Sequence, residues 1–264
     1  MRVLILGDVH GEHQCLAQTL RQAQLDFGIA AAIQVGDFGF TRDAMQRARA
    51  SGIRYPVPLH VIDGNHEDHH WLWQALWTGA VRVWEQEAGL IYQPRPSVTR
   101  LGGSTVGFMG GALHVDRPQR HNLLSRFPNY ILRQQCEQAV LGFNREQPEL
   151  IVTHSCPSGI GIGLESADGH GHGVALHIAA AGFDPGPQDD CGEAELTRLW
   201  RALTYRPQAW VFGHFHRAHR VTIEGTRFVC VAEETASPAR ELVLWDTEEK
   251  KVLICPADPS TVRE

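Results

Sequence analysis

Short apolar runs that end in glycine or in a polar turn punctuate the first quarter of the chain. RVLILG (2–7), AAIQVG (31–36) and PLHVID (58–63) read as buried strands. Between them, HQCLAQTLRQAQLDFG (13–28) and TRDAMQRARASG (41–52) repeat apolar positions at helical spacing. Each closes on glycine, the residue that most readily takes the left-handed turn ending a helix. Strand, helix, strand, helix, strand predicts parallel strands joined by right-handed crossovers.

Further on, the pattern changes. AVRVW (80–84), GLIYQP (89–94), SVTRLGG (97–103) and TVGFMGG (105–111) predict short antiparallel strands. A helix near 133–146 precedes another apolar strand, ELIVTH (149–154). Nine glycines fall between Gly159 and Gly192, including DGHGHG at 168–173, before a helix near 192–204. AWVFGH (209–214), RVTIEG (220–225), RFVCVA (227–232), ELVLWD (241–246) and KVLICP (251–256) alternate strands with turns, as a second, mostly antiparallel sheet would. The whole predicts an α/β fold of two sheets with helices outside. No repeat and no Pro/Ser-rich linker divides it.

Composition narrows the function. At 264 residues and 43% hydrophobic, the chain can bury a large core. A net charge of -6 argues against a general nucleic-acid footprint, although a local basic groove is compatible with it. Six cysteines without CxxC spacing indicate neither a disulfide framework nor a zinc ribbon, and fit reduced thiols in a cytoplasmic protein. VLIL is too short for a signal peptide or a membrane span. The unusual count is histidine, at 15, because imidazole is the commonest neutral metal ligand near pH 7.

The chemistry sits at the strand ends. In order these read Asp8-Val9-His10, Gly36-Asp37, Gly64-Asn65-His66, Thr153-His154 and Gly213-His214-Phe215-His216. Ligands bind at the carboxyl ends of strands in open α/β sheets, so these loops should converge on one rim. Residues i and i+2 of an extended segment project to one side, which lets Asp8 and His10 reach one point, and likewise His214 and His216. Histidine nitrogens with two aspartates and an asparagine carbonyl suit Mn, Fe, Zn or Ni better than Ca or Mg.

GDVHG, GDFG, GNHE, THSCP and GHFH, in that order, resemble the calcineurin-like metallophosphoesterase superfamily, in its bacterial or phage-type members. Each motif alone is weak, and Asp8 alone would read as a helix N-cap. Five in order, each after an apolar strand, are specific. The resemblance implies a four-layer α/β/β/α sandwich, as a single domain over 1–264 with active-site insertions near 111–130 and 159–191. It implies two divalent ions, Mn²⁺ first among the candidates. Asp8, His10 and His216 would bind the first, Asn65, His154 and His214 the second, and Asp37 would bridge them, with His66 as the catalytic histidine. The implied reaction is hydrolysis of a phosphodiester or phosphomonoester by a metal-bridging hydroxide. A non-catalytic scaffold of the same fold is the competing reading, and such a scaffold would be free to lose ligands that this chain keeps.

One motif departs from the Ser/Thr protein phosphatase branch. There the second motif carries an Asp and a phosphate-gripping Arg where this chain has Phe40 and Thr41. That disfavours a protein phosphatase and leans towards diesters, such as cyclic nucleotides or a nucleic-acid end. Glu67 is a candidate to orient His66 in place of the missing Asp. Arg117 and Arg120, in GGALHVDRPQR (110–120), offer forks for a phosphate, as similar segments occur in related members. His170 and His172 in the glycine-rich loop are further substrate candidates. His60 reads as a satisfied core residue, and His69 and His70 as surface or supporting residues. Trp73 and Trp77, four apart, predict a core-facing helix stripe. A small phosphate ester is the expected partner.

Overall fold

Strand β1 (Arg2–Leu6) sends Val3 and Ile5 to one face and Leu4 and Leu6 to the other, and all four are buried. A strand with two buried faces belongs to a sheet covered on both sides. The computed structural model describes residues 1–113, 128–162, 192–232 and 241–256. Among these lie two six-stranded mixed sheets and six helices, in an α/β/β/α arrangement.

The first sheet has the order β12-β11-β1-β2-β3-β4. Its members are β2 (Ile29–Gln34), β3 (Leu59–Val61), β4 (Leu90–Tyr92), β11 (Glu241–Asp246) and β12 (Lys251–Pro256), besides β1. The second runs β5-β6-β7-β8-β10-β9. It contains β5 (Ser97–Leu101), β6 (Ser104–Met109), β7 (Leu150–Thr153), β8 (Ala209–Phe212), β9 (His219–Ile223) and β10 (Thr226–Cys230). Val3, Ile5, Ile33, Phe108, Val152, Val211 and Trp245 fill the space between the sheets. Leu4 and Leu6 turn outward onto α1 (His13–Phe27), α2 (Arg42–Ala50), α3 (His69–Thr78) and α4 (Ala80–Ala88). On the far side, Trp210 and Phe212 meet Phe143 of α5 (Arg133–Glu146) and Leu199 and Trp200 of α6 (Ala194–Ala202). Each such side chain contributes about 1.5–3 kcal/mol relative to exposure.

Helix ends follow local chemistry. Gly28, at φ +63°, closes α1 by donating its N–H to Gln24 O, and the Thr41 hydroxyl caps α2 by accepting from Ala44 N. The strand order β1-β2-β3 is parallel, as predicted.

Four expectations fail. AVRVW is the first half of α4, not a strand. Val81 and Val83 mimic strand alternation, but Gly79 and Gly89 bracket a helix whose Trp84 stacks on Trp71 and Phe40. The middle strands are not all antiparallel, because only β5 and β6 form a hairpin, while β4 is parallel to β3 and β6 to β7. The C-terminal strands do not form a sheet of their own. β8 and β10 lie parallel within the second sheet, and β11 and β12 return to the first, with β11 antiparallel to β1. Trp77 is 93% exposed and Trp73 38%, so the tryptophan stripe does not face the core. Among the described residues, no helix is long and apolar enough to cross a membrane, and Cys15, Cys136, Cys230 and Cys255 are in no disulfide.

Candidate metal centre

The carboxyl ends of β1, β2, β3, β7 and β8 open onto one rim. There the backbone is forced into unusual shapes. His10 (φ +50°), Asp37 (+53°), His214 (+71°) and His216 (+51°) all take the left-handed region that non-glycine residues avoid. Such conformations cost free energy and cluster where a site needs them. The glycines leave room: a Cβ at Gly64 would collide with Asp37, one at Gly213 with Asp8, and one at Gly36 with His154.

Two groups of ligand-type atoms result. Asp8, His10 and His216 offer atoms within 4.8 Å of one another, as do Asp37, His154 and His214. The first group is half open, with Asp8 buried and both histidines exposed, whereas the second is wholly buried. His216 Nε2 lies 2.8 Å from Asp8 Oδ2 and 3.4 Å from His10 Nε2. Asn65 belongs with the second group, since its Oδ1 is 3.0 Å from His154 Nε2. His66 is partly buried, its ring 5.5 Å from that of His10, and its backbone N–H donates to Asp37 Oδ1 at 2.8 Å.

The donor set fits a cation. His154 Nδ1 lies 2.8 Å from Val35 O and donates its proton there. Nε2 faces Asn65 Oδ1 and also Asp37 Oδ2, 3.3 Å away. Two oxygens closing on one ring nitrogen favour a positive charge there, either a proton on Nε2 or a metal ion in its place. Burial alone would lower the His154 pKa, yet Asp37 and Asp8 hold it up at about 10. His154 in turn holds Asp37 below the usual carboxylate range, against the effect of burial. Burial and the His154 charge keep His214 well below 6.5, as the neutral imidazole a metal requires. His214 Nε2 is buried and makes no hydrogen bond. Side chains held ready in this way fit a divalent cation.

Sequence reasoning passed over the residues that hold these loops. Gln34 donates to Gly7 O at 3.0 Å and accepts from Gly36 N at 3.0 Å, tying the first two motifs together. Arg95 pairs with buried Asp63 at 3.2 Å and donates to the carbonyls of Pro128, Asn129 and Tyr130. The Glu67 side chain is turned towards backbone amides. Its carboxylate accepts the backbone N–H groups of Phe38, Gly39, Phe40 and Gly64. Burial and Asp37 push its pKa up, to about 8, against the lowering effect of these amides. Of Gln34 and Arg95, only Gln34 left a signal, as a polar residue within an otherwise apolar strand.

His60 is a satisfied core histidine, bonded to Gln93 at 2.9 Å. His69 is buried beside Asp63, and His70 is exposed. Phe40, at the place of the phosphatase Asp, is fully buried, and Thr41, at the place of the Arg, is the α2 cap. Arg117, Arg120, His170 and His172 lie outside the described residues.

Fold and site together define a two-sheet sandwich that gathers two candidate ligand groups at its strand ends. The chain belongs to the calcineurin-like phosphoesterase family, whose model matches residues 1–218. No curated protein matches the chain. Among solved structures it is similar to the protein TT1561 of Thermus thermophilus, at a TM-score of 0.57 and 11% identity over 97% of this chain and 99% of that one. It is also similar to a protein of Staphylococcus aureus titled a putative 5′-nucleotidase and crystallised with alpha-ketoglutarate, at a TM-score of 0.56 and 14% identity. That match covers 100% of this chain and 56% of the other. At these identities the likeness is one of fold.

Proposed function

We propose that this chain is a phosphoester hydrolase working with two divalent ions. The observation that carries the reading is the convergence of ligand-type side chains in two adjoining groups, Asp8, His10 and His216 beside Asp37, Asn65, His154 and His214. Asp37 would be the residue shared by the two ions. The ions, when bound, would supply Lewis acidity and lower the pKa of a shared water. Two divalent charges less those of Asp8 and Asp37 leave about +2, which favours an anionic ester over a neutral substrate.

The residues do the positioning. The strained loops fix the ligand atoms before substrate arrives, so little reorganisation is left for the reaction. His66 stands beside His10 at the open side of the rim, where it can hand a proton to the leaving oxygen. Phe40 and Thr41 are spent on packing and capping, and add no cation for a dianionic monoester. The reading therefore favours diesters over monoesters.

The test is hydrolysis of bis-p-nitrophenyl phosphate against p-nitrophenyl phosphate by Mn²⁺-loaded protein. Diester turnover should exceed monoester turnover, vanish on chelation and fall about 10²–10⁴-fold in His66→Ala. Absence of turnover with both ions bound would favour the scaffold reading. Equal rates in His66→Ala would remove His66 from the chemistry.

A further inference from the structure

The loop that carries Asp37 is held at φ +53°, a conformation that relaxes unless something pins it. Gln34 pins one flank through Gly36. On the other flank, three successive amides turn inward upon a single carboxylate. Glu67 Oε1 accepts from Phe38 N at 2.9 Å and Gly64 N at 3.3 Å, and Oε2 accepts from Gly39 N at 3.0 Å and Phe40 N at 2.6 Å. Gly39, at φ +94°, makes that arc possible, and a Cβ there would collide with Gly11. The same loop orders the first motif, because Asp37 O accepts from Val9 N and His10 N at 3.1 and 2.7 Å.

We propose that Glu67 is a positioning residue for Asp37, clamping the Asp37 loop to the Asn65-His66 loop so that one carboxylate can serve two ions; this rests on the two-ion reading above. Glu67 itself is in neither ligand group. Its contacts run to the backbone of two loops, and four N–H donors demand an acceptor at both oxygens, which a carboxylate supplies and an amide does not.

The experiment compares full-length wild type with Glu67→Gln and Glu67→Asp, each titrated with Mn²⁺ alone and followed by electron paramagnetic resonance and calorimetry. Wild type should show the spectrum of an exchange-coupled pair. Glu67→Gln turns an NH₂ towards two of the amides. It should keep its far-UV circular dichroism, bind Mn²⁺ about 10–100-fold more weakly and give uncoupled ions. Glu67→Asp, shorter but charged, should fall between. A merely structural residue would lower the melting temperature and leave the coupling intact. A coupled pair at wild-type affinity in Glu67→Gln would overturn the assignment, and so would failure of both variants to fold. A wild type without a coupled pair would overturn the two-ion reading, and this inference with it.

Discussion

The two ligand groups are built from the same residue types but differ in what surrounds them. Asp37, His154 and His214 are buried and oriented from behind, His154 by Val35 O and Asp37 by His66 N. In the other group Asp8 accepts from His214 N at 3.2 Å, but His10 and His216 stand in solvent. A side chain already fixed loses little freedom on binding, whereas an exposed one has still to be ordered. The comparison teaches that the inner group should hold its ion tightly and the outer group should exchange.

The largest effect should come from Asp37→Asn, which removes the carboxylate of the inner group and, on the two-ion reading proposed above, the ligand that both ions would share. The expected loss in kcat/KM exceeds about 10³-fold, since several kcal/mol of charge stabilisation go with it. Dialysis followed by metal analysis should find less than one tightly held ion. Next comes the pair His154→Ala and His216→Ala. The inner variant should retain no tight ion, while the outer should retain one and recover activity as Mn²⁺ is raised. Equal losses in the two would break the comparison.

A stability test sharpens it from outside the rim. Phe40→Asp, which restores the residue type of the phosphatase branch, should cost at least about 3 kcal/mol in denaturant unfolding. It removes a ring packed against Phe38, Trp84 and Tyr92 and buries a charge. The smallest effect is a pH dependence. Burial, with Arg47 adding to it for His13, lowers the pKa of His13 and His60 to about 4. Both pKa values are depressed from 6.5, so their contribution is present above pH 6.5 and is lost as pH falls through about 4. His60→Gln should flatten that part of the melting-temperature profile in metal-free protein. An unchanged slope would contradict the burial account.

The site was legible in the sequence because its information is local. Asp8 and His10, or His214 and His216, sit two apart beside glycines that only a tight turn requires. The first three strands were legible for the same reason. Pairing is not local: nothing in ELVLWD says that β11 lies antiparallel to β1 while β10 lies in the other sheet. Val81 and Val83 carried strand alternation into a helix whose inward anchor is Trp84. Arg95 escaped, and Glu67 was singled out without its backbone partners, because both act on amides and carbonyls that a sequence does not display as partners.

The most direct measurement is anomalous diffraction at the manganese edge from crystals grown with Mn²⁺. The account predicts two peaks, one among Asp8, His10 and His216, the other among Asn65, His154 and His214, with the Asp37 carboxylate between them. A single peak, or peaks away from these residues, would contradict it.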